Sequence, residues 1–543
     1  MSDEAPLDVV VIGAGFAGIY ALHKLRSQGL AVRAYETGSD VGGTWYWNRY
    51  PGARCDVESL DYQFGFSDEL QRGWNWSERF ATQAEILDYL RYVADTLDLR
   101  RDIQFETRVQ AAIFDEPSGR WRVTTDTGDR VNARFCISAV GCLAAAPVAD
   151  FPGLDTYRGE TYHTGRWPHQ AVDFTGKCVG VVGTGSSGVQ AIPLIAEQAR
   201  ELVVFQRSPN FSVPAVNRPL VADWVDAYKE RFAEERARAK TTDFGNAAWT
   251  TVPHSALEAS VDEREAEYES RWREGGAGFM IAYADLMENK QANDTAADFI
   301  RRKIRETVKD PETAELLTPR DHPIGAKRIC VDTDYFETFN RDNVRLVDVR
   351  SAPIERITET GLRTVAGEFE LDCLVFATGF DAMTGPLNAM DIRGRGGVTL
   401  KERWAEGPAA YLGLAVCGFP NLFLITGPGS PSVLSNMVVS IEQHVEFIAD
   451  CIAAMGASGC ATFEATQAAQ DAWAEHVNHE ADLTLFPQGN SWYVGANIPG
   501  KPRVFMPYTG GVRAYREKCE EVVAGGYAGF QLTPAPADKA AIN

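Results

Sequence analysis

Gly13-Ala14-Gly15-Phe16-Ala17-Gly18 follows the apolar run Val9 to Ile12 and opens a second apolar stretch, Ile19 to Leu25. A buried strand that turns through three glycines into a helix puts the helix N-terminus where it can hold a pyrophosphate. The pattern recurs 170 positions later, where Gly183-Thr184-Gly185-Ser186-Ser187-Gly188 follows Val179 to Val182. A lone GxGxxG is a weak signal, but two with strand before and helix after are a specific one. The expected fold class is α/β, with two Rossmann-like dinucleotide-binding domains.

The residue that ends the next strand after each turn separates the two ligands. The strand Ala31 to Tyr35 ends at Glu36, 23 positions after Gly13, where a carboxylate can accept hydrogen bonds from ribose hydroxyls. The strand Leu202 to Phe205 leads to Arg207, 24 positions after Gly183, where a guanidinium suits a 2′-phosphate. The first turn therefore reads as an FAD site and the second as an NADPH site. Two ordinary solvated charges would not share matched offsets.

The chain has 543 residues, too many for one core, and 45% hydrophobic residues. Its formal net charge of −22 argues against nucleic acid or an anionic membrane as partner. No apolar run approaches the roughly 20 residues of a membrane span, and the N-terminal MSDEAPLD is acidic where a signal peptide would be basic. A cytoplasmic location is expected. The ten cysteines, Cys55, Cys136, Cys142 and Cys178 among them, are scattered and contain no CxxC, which reads as free thiols in a reducing compartment. His476 and His479 form a lone HxxH of the kind found on surface helices, so no metal site is expected.

Further strand signals at Arg134 to Val140 and Leu371 to Ala377 each end in Ala-x-Gly, Ala139-Val140-Gly141 and Ala377-Thr378-Gly379. Each dinucleotide unit thus opens with a glycine turn and closes with a buried strand and a glycine. Between Val221 and Leu317 the texture becomes charge-rich and helical, with Asp310-Pro311 as N-cap and first helical residue. The expected organisation is an FAD domain of residues 1–144 and 380–543, and an NADPH domain of 145–379 that contains a helical insertion at 218–325. The two crossings, Gly141 to Pro152 and Gly379 to Gly385, form the hinge, and ligands tend to bind at such interfaces. No coiled-coil heptads or interaction tail point to an obligate partner, and a monomer is expected.

Two longer patterns carry a resemblance. Tyr157, Gly159, His163, Trp167 and Pro168 approach FxGxxxHxxxW(P/D), departing only by tyrosine for phenylalanine. Gly42, Gly43, Trp45, Tyr50, Pro51, Gly52 and Asp56 match (A/G)GxWxxxx(F/Y)P(G/M)xxxD throughout. On these motifs the chain resembles the type I Baeyer–Villiger monooxygenases. YPGARCD, GTGSSG, GPGSPS and LSN bring it closest to the phenylacetone and cyclohexanone monooxygenase group. The related N- and S-oxygenases share both glycine turns but end the fingerprint in Tyr or Phe, where this chain has Trp167.

The resemblance implies NADPH as hydride donor, O2 as co-substrate, a C4a-peroxyflavin, and attack on a ketone through a Criegee-type intermediate to give an ester or lactone. Sulfides are implied as further substrates. It makes Arg328 the catalytic cation and Asp56 the carboxylate that positions it. Around FAD it places Gly13, Gly15, Gly18, Glu36, Thr44, Trp45, Tyr46, Trp47, Asp56, Tyr62, Val109 and Met437. Around NADPH it places Arg54, Cys55, Asp56, Gly183, Thr184, Gly185, Ser186, Ser187, Gly188, Val189, Gln190, Arg207, Ser208, Lys327, Arg328 and Trp492. His163 and Trp167 take a structural role coupling the domains, and Cys142, Leu143, Ser432, Val433, Leu434 and Met437 line the substrate pocket. An N- or S-oxygenase with the same cofactors, or a flavoprotein reductase or redox sensor, is the alternative.

Overall fold

The computed structural model describes residues 7–147 and 150–535. The first six residues of the acidic N-terminal stretch and part of the first crossing, residues 148 and 149, therefore lie outside the described residues, as do residues 536–543.

Alternating burial is absent from Leu7–Ile12, whose last four residues are all buried, as a central parallel strand covered on both faces requires. It is flanked in parallel by Val32–Tyr35 on one side and Arg130–Ser138 on the other. Arg130–Ser138 continues into an antiparallel arm, Arg120–Thr125 and Val109–Asp115. Ile103–Gln104 pairs with Val32–Tyr35, and two short strands from late in the chain finish this eight-stranded sheet: Leu422–Leu424 pairs with Arg130–Ser138, and Asp391–Arg393 with Val109–Asp115. One face is covered by helices Phe16–Ser27 and Met437–Ser458, which pack on each other through buried aliphatic side chains.

A second, five-stranded sheet is parallel throughout. Cys178–Val182 lies between Glu201–Gln206 and Cys373–Phe376, with Val344–Asp348 and Glu160–His163 at the edges. The strand signal at Arg134 to Val140 is shifted towards the N-terminus, and that at Leu371 to Ala377 is trimmed to Cys373–Phe376. In both cases the Ala-x-Gly lies just beyond the strand.

That position explains the repeated Ala-x-Gly. Gly13 has φ +105° and an added Cβ would stand 2.6 Å from the Ala139 carbonyl oxygen; Gly183 has φ +109° and its Cβ would stand 2.5 Å from the Ala377 carbonyl oxygen. Each glycine turn therefore rests on the end of the neighbouring strand, which no L side chain there would permit. The two sheets are built on one plan.

The charge-rich segment folds as helices Ala222–Glu230, Phe232–Ala239, Val261–Glu274, Lys290–Thr307 and Pro311–Leu317. The Asp310 side chain accepts from the Thr313 N–H and Pro311 opens the last of them. A feature that the composition does not announce closes this segment at its base: Ser212–Pro214 pairs in parallel with Cys330–Asp332, so both ends of the helical excursion are clasped together. The Ser212 hydroxyl adds a hydrogen bond to the Asp332 carboxylate across the clasp.

Candidate active site

Arg328 lies two residues before the clasp strand Cys330–Asp332, and its backbone is fixed by the Asn210 Nδ2–H bond to its carbonyl at 3.1 Å. Its guanidinium forks onto Asp56: Nε–H donates to Oδ2 at 2.7 Å and Nη2–H to Oδ1 at 2.8 Å. The remaining terminal nitrogen donates to the Val433 carbonyl at 2.5 Å. Burial opposes the charge on Arg328, and the Asp56 carboxylate outweighs it, so the guanidinium pKa is raised. Burial likewise pushes Asp56 up, and Arg328 wins, holding that carboxyl below its ordinary value. The pair is ionised at any working pH, with its side chains one-third and one-fifth exposed in a cleft.

Three chain segments from far apart in sequence meet at this pair. The Asp56 segment packs on the second glycine turn: Tyr50 Oη donates to Gln190 Oε1 at 2.8 Å and Gln190 Nε2–H donates to the Arg54 carbonyl at 3.2 Å. The Arg54 guanidinium faces elsewhere, donating to Glu78 at 2.7 Å and to the Phe80 carbonyl, so Arg54 presents its backbone and not its charge to the nucleotide side. Cys55 is buried, and burial raises its thiol pKa.

The two helices that follow the glycine turns begin at Gly15 and Gly185, and neither has a side-chain cap. Their first N–H groups are therefore open to an anion. Beside the first turn, Glu36 is buried and accepts from the Ala14 N–H at 2.8 Å and the Gly38 N–H at 2.7 Å, while burial raises its pKa above the ordinary value. Trp45 Nε1–H donates to Tyr62 Oη at 3.3 Å, Tyr46 Oη contacts Ser39 Oγ at 2.8 Å, and Thr44 and Trp47 bound the same short helix. The Val109 side chain packs into the core behind the sheet with Ile12 and Tyr35.

Beside the second turn, Thr184 Oγ1 donates to Gln206 Oε1 at 3.4 Å and to the Ser208 carbonyl at 3.2 Å. Arg207 is exposed. Lys327 is half-buried, and its pKa is lowered first by burial and further by Arg207 and Arg350. Arg350 was not foreseen: its Nη2 donates to Ser208 Oγ at 2.7 Å and to Asp321 at 2.5 Å. Nothing local marks it, because Ser208 is 142 positions away. Open helix N-termini, a buried carboxylate at the first turn and a cluster of cations at the second are what FAD and a 2′-phosphorylated nicotinamide dinucleotide require.

The expected pocket residues fall into one apolar cluster, with Cys142 and Val433 buried and Leu143, Leu434 and Met437 packed against them, joined by Trp492, which was expected at the nicotinamide. Ser432 Oγ lies 3.3 Å from Cys142 Sγ. Tyr493 completes the wall and was also unforeseen; burial lifts its hydroxyl to about 12 against the pull of Arg328.

The fingerprint lies apart from this cleft. His163 ends the edge strand of the second sheet, its Nδ1 accepts from the Gly165 N–H at 3.0 Å, and burial and then Arg166 lower its pKa to about 4. Trp167 is buried on Tyr162 and Phe174. Tyr157 Oη donates to the Leu371 carbonyl at 2.8 Å beside Gly159, and Pro168 follows the tryptophan. An added Cβ on Gly165 would meet Phe380 at 2.5 Å and Ala146 at 2.8 Å, so this segment is wedged between the two crossings. Elsewhere His476 sits on helix Gln467–Asp482, and among the described residues no group of His, Cys, Asp or Glu is placed to hold a metal ion. No helix of the described residues is long and apolar enough to cross a membrane.

Comparison with known proteins places these features in a family. Residues 7–218 match the family model FMO-like, flavin-binding monooxygenase-like. A Baeyer–Villiger monooxygenase of Pseudooceanicola batsensis is 46% identical, covering 96% of each chain. Phenazine N-monooxygenase PhzNO1 of Lysobacter antibioticus is 43% identical, covering 99% of each. A solved structure of an oxidised steroid monooxygenase bound to NADP superposes with a TM-score of 0.94 at 55% identity, covering 98% of this chain and 100% of that one. The OTEMO complex with FAD and NADP superposes at 0.93 with 43% identity and the same coverage. With this identity over nearly its whole length, this chain belongs to the flavin-binding Baeyer–Villiger monooxygenases.

Proposed function

We propose that the chain catalyses the reaction of a ketone with O2, NADPH and a proton to give an ester or lactone, NADP+ and water. The observation that carries this is the forked Arg328–Asp56 pair at an apolar cleft lined by Val433, Leu434 and Tyr493. When bound, FAD supplies the oxygen-activating chemistry and NADPH the hydride.

The protein's own part is electrostatic. Arg328 holds a permanent positive charge where negative charge develops on the carbonyl oxygen as its carbon becomes tetrahedral, and such a preorganised donor acts most strongly where water is excluded. Asp56 fixes the plane of the guanidinium, the Val433 carbonyl fixes its third edge, and Val433 and Leu434 give it an apolar wall. Glu36 and the first turn position FAD; Arg207 and Lys327, with Thr184 to Gln190, position NADPH. The remaining cofactor contacts expected from the sequence belong to the same proposal, as does the division into an FAD domain (1–144 and 380–543) and an NADPH domain (145–379, insertion 218–325).

We further propose oxidation of sulfides in the same cleft. A monomeric enzyme belongs to the same proposal, and a cytoplasmic location is supported by ten cysteines with free thiols.

A second reading is N-oxygenation, favoured by the phenazine N-monooxygenase among the relatives. Incubating the FAD-loaded enzyme with NADPH, a ketone and 18O2 separates them. Ester carrying one 18O atom supports the proposal; N-oxide from an amine or azaarene with no ester from any ketone selects the second reading.

A further inference from the structure

Beside the Arg328 cleft lies a second, open-mouthed cavity of about 550 Å³ between the segment Glu58–Leu60 and the helical excursion. One residue is shared by the linings of the two. Trp249 borders both, and the turn Ala277–Ile281 contributes Met280 to the Arg328 side and Gly278 and Phe279 to the outer side. The indole lies on the Gly278 backbone, where an added Cβ would stand 3.6 Å from the ring. A long hydrogen bond of 3.4 Å from Trp249 Nε1–H to Glu58 is its polar anchor.

The chemistry of the outer cavity selects its occupant. Glu58 is paired with Arg79 at 3.1 Å and accepts from the Asn246 amide at 3.1 Å, and Arg271 is paired with Glu267 at 2.7 Å, so these inner charges are engaged, while Arg218 and Glu274 lie exposed at the rim. The mouth carries two apolar side chains that are unusually exposed, Val221 at 66% and Trp224 at 51%. A neutral apolar body is what such a surface takes up. The volume falls within the ~300–1,000 Å³ typical of small-molecule sites, whereas the space at Arg328 itself is tight.

We propose that this cavity is an outer substrate chamber, in which the body of a bulky, neutral, multi-ring ketone rests while its carbonyl reaches past Trp249 to Arg328. The inference rests on the Baeyer–Villiger reading and adds the substrate class. Trp249 and Gly278 then set the size of ketone accepted, through the width of the neck.

The test compares wild type, Gly278→Leu and Trp249→Ala, each loaded with FAD, on acetone and on a four-ring steroidal methyl ketone, with ester as the readout. Gly278 has no left-handed backbone, so leucine enters without backbone strain and fills the neck. The ratio of kcat/KM for the large ketone to that for acetone is expected to fall at least tenfold in Gly278→Leu, through a raised KM, and to rise at least threefold in Trp249→Ala. Wild-type ester from acetone with a ratio unmoved in both variants overturns the chamber and leaves the Baeyer–Villiger function standing. No ester from either ketone in wild type overturns both. Should Gly278→Leu not accumulate with FAD, Trp249→Ala decides, and a wild-type ratio there overturns the chamber.

Discussion

His163 Nε2 lies 3.3 Å from Thr378 Oγ1, so the fingerprint histidine is tied to the segment by which the chain leaves the second sheet. Thr378 is the central residue of the second Ala-x-Gly, one step from the carbonyl that supports Gly183. The imidazole, with its pKa lowered to about 4, is neutral throughout the working range and serves as a hydrogen-bonding strut. His163→Ala is expected to lower kcat about tenfold, and His163→Gln, which keeps a polar atom near Thr378, to recover most of it. The pH–rate profiles of wild type and His163→Gln between pH 6 and 9 are expected to coincide; loss of a titrating limb in the variant would show proton transfer by the histidine.

Removing the guanidinium of Arg328 is expected to cost about 10²- to 10³-fold in ester formation, the range for a lost oxyanion donor. Arg328→Lys keeps the charge but not the fork onto Asp56, and is expected to fall between wild type and Arg328→Ala. Bound FAD, read from the absorbance of the purified variants, is expected to remain. Steady-state ester formation and FAD content together check this, and wild-type ester yield from Arg328→Ala would remove it from the mechanism.

For the nucleotide, Arg207→Gln is expected to raise KM for NADPH at least tenfold with little change in kcat, while KM for NADH stays within twofold. Arg350→Gln, which loses the contacts to Ser208 and Asp321, is expected to shift the NADPH to NADH preference in the same direction by a smaller factor. Initial rates with both nucleotides measure this; equal losses with NADPH and NADH would place these cations away from the 2′-phosphate.

Asp332 gives a pH dependence of stability. Burial raises its carboxyl to about 7 in the folded chain, against about 3.9 when unfolded. Between these values the folded state holds a proton that the unfolded state releases, so stability falls as pH rises from about 4 to about 7 and is level above. Asp332→Asn keeps an acceptor for the Tyr335 N–H and removes this slope. Its Tm relative to wild type is expected to rise by about 2 °C or more from pH 5 to pH 8, and a constant difference would count against a protonated Asp332.

The glycine turns, Glu36 and Arg207 were legible because their spacing is set by the local geometry of strand, turn and helix. The helical excursion was legible for a similar reason, since periodicity and the Asp310-Pro311 cap are local properties. Tyr493, Arg350 and Trp249 were not, because each acts through a partner brought near only by tertiary folding. Pairing of Ser212–Pro214 with Cys330–Asp332 was equally hidden: three-residue strands carry too little pattern to be read. The membership of Arg328 and Asp56 in one ion pair came from the family motif, whereas its fork geometry and the Val433 contact needed the fold.

The clasp between Ser212–Pro214 and Cys330–Asp332 makes the helical excursion an exchangeable cassette. Because the two ends meet, a change of length between the helices is expected to leave in place the backbone of Arg328, which stands just inside the seam. Residues 222–317, which carry Trp249 and Met280 to the Arg328 pocket, are thereby a natural region to randomise when a new substrate is sought.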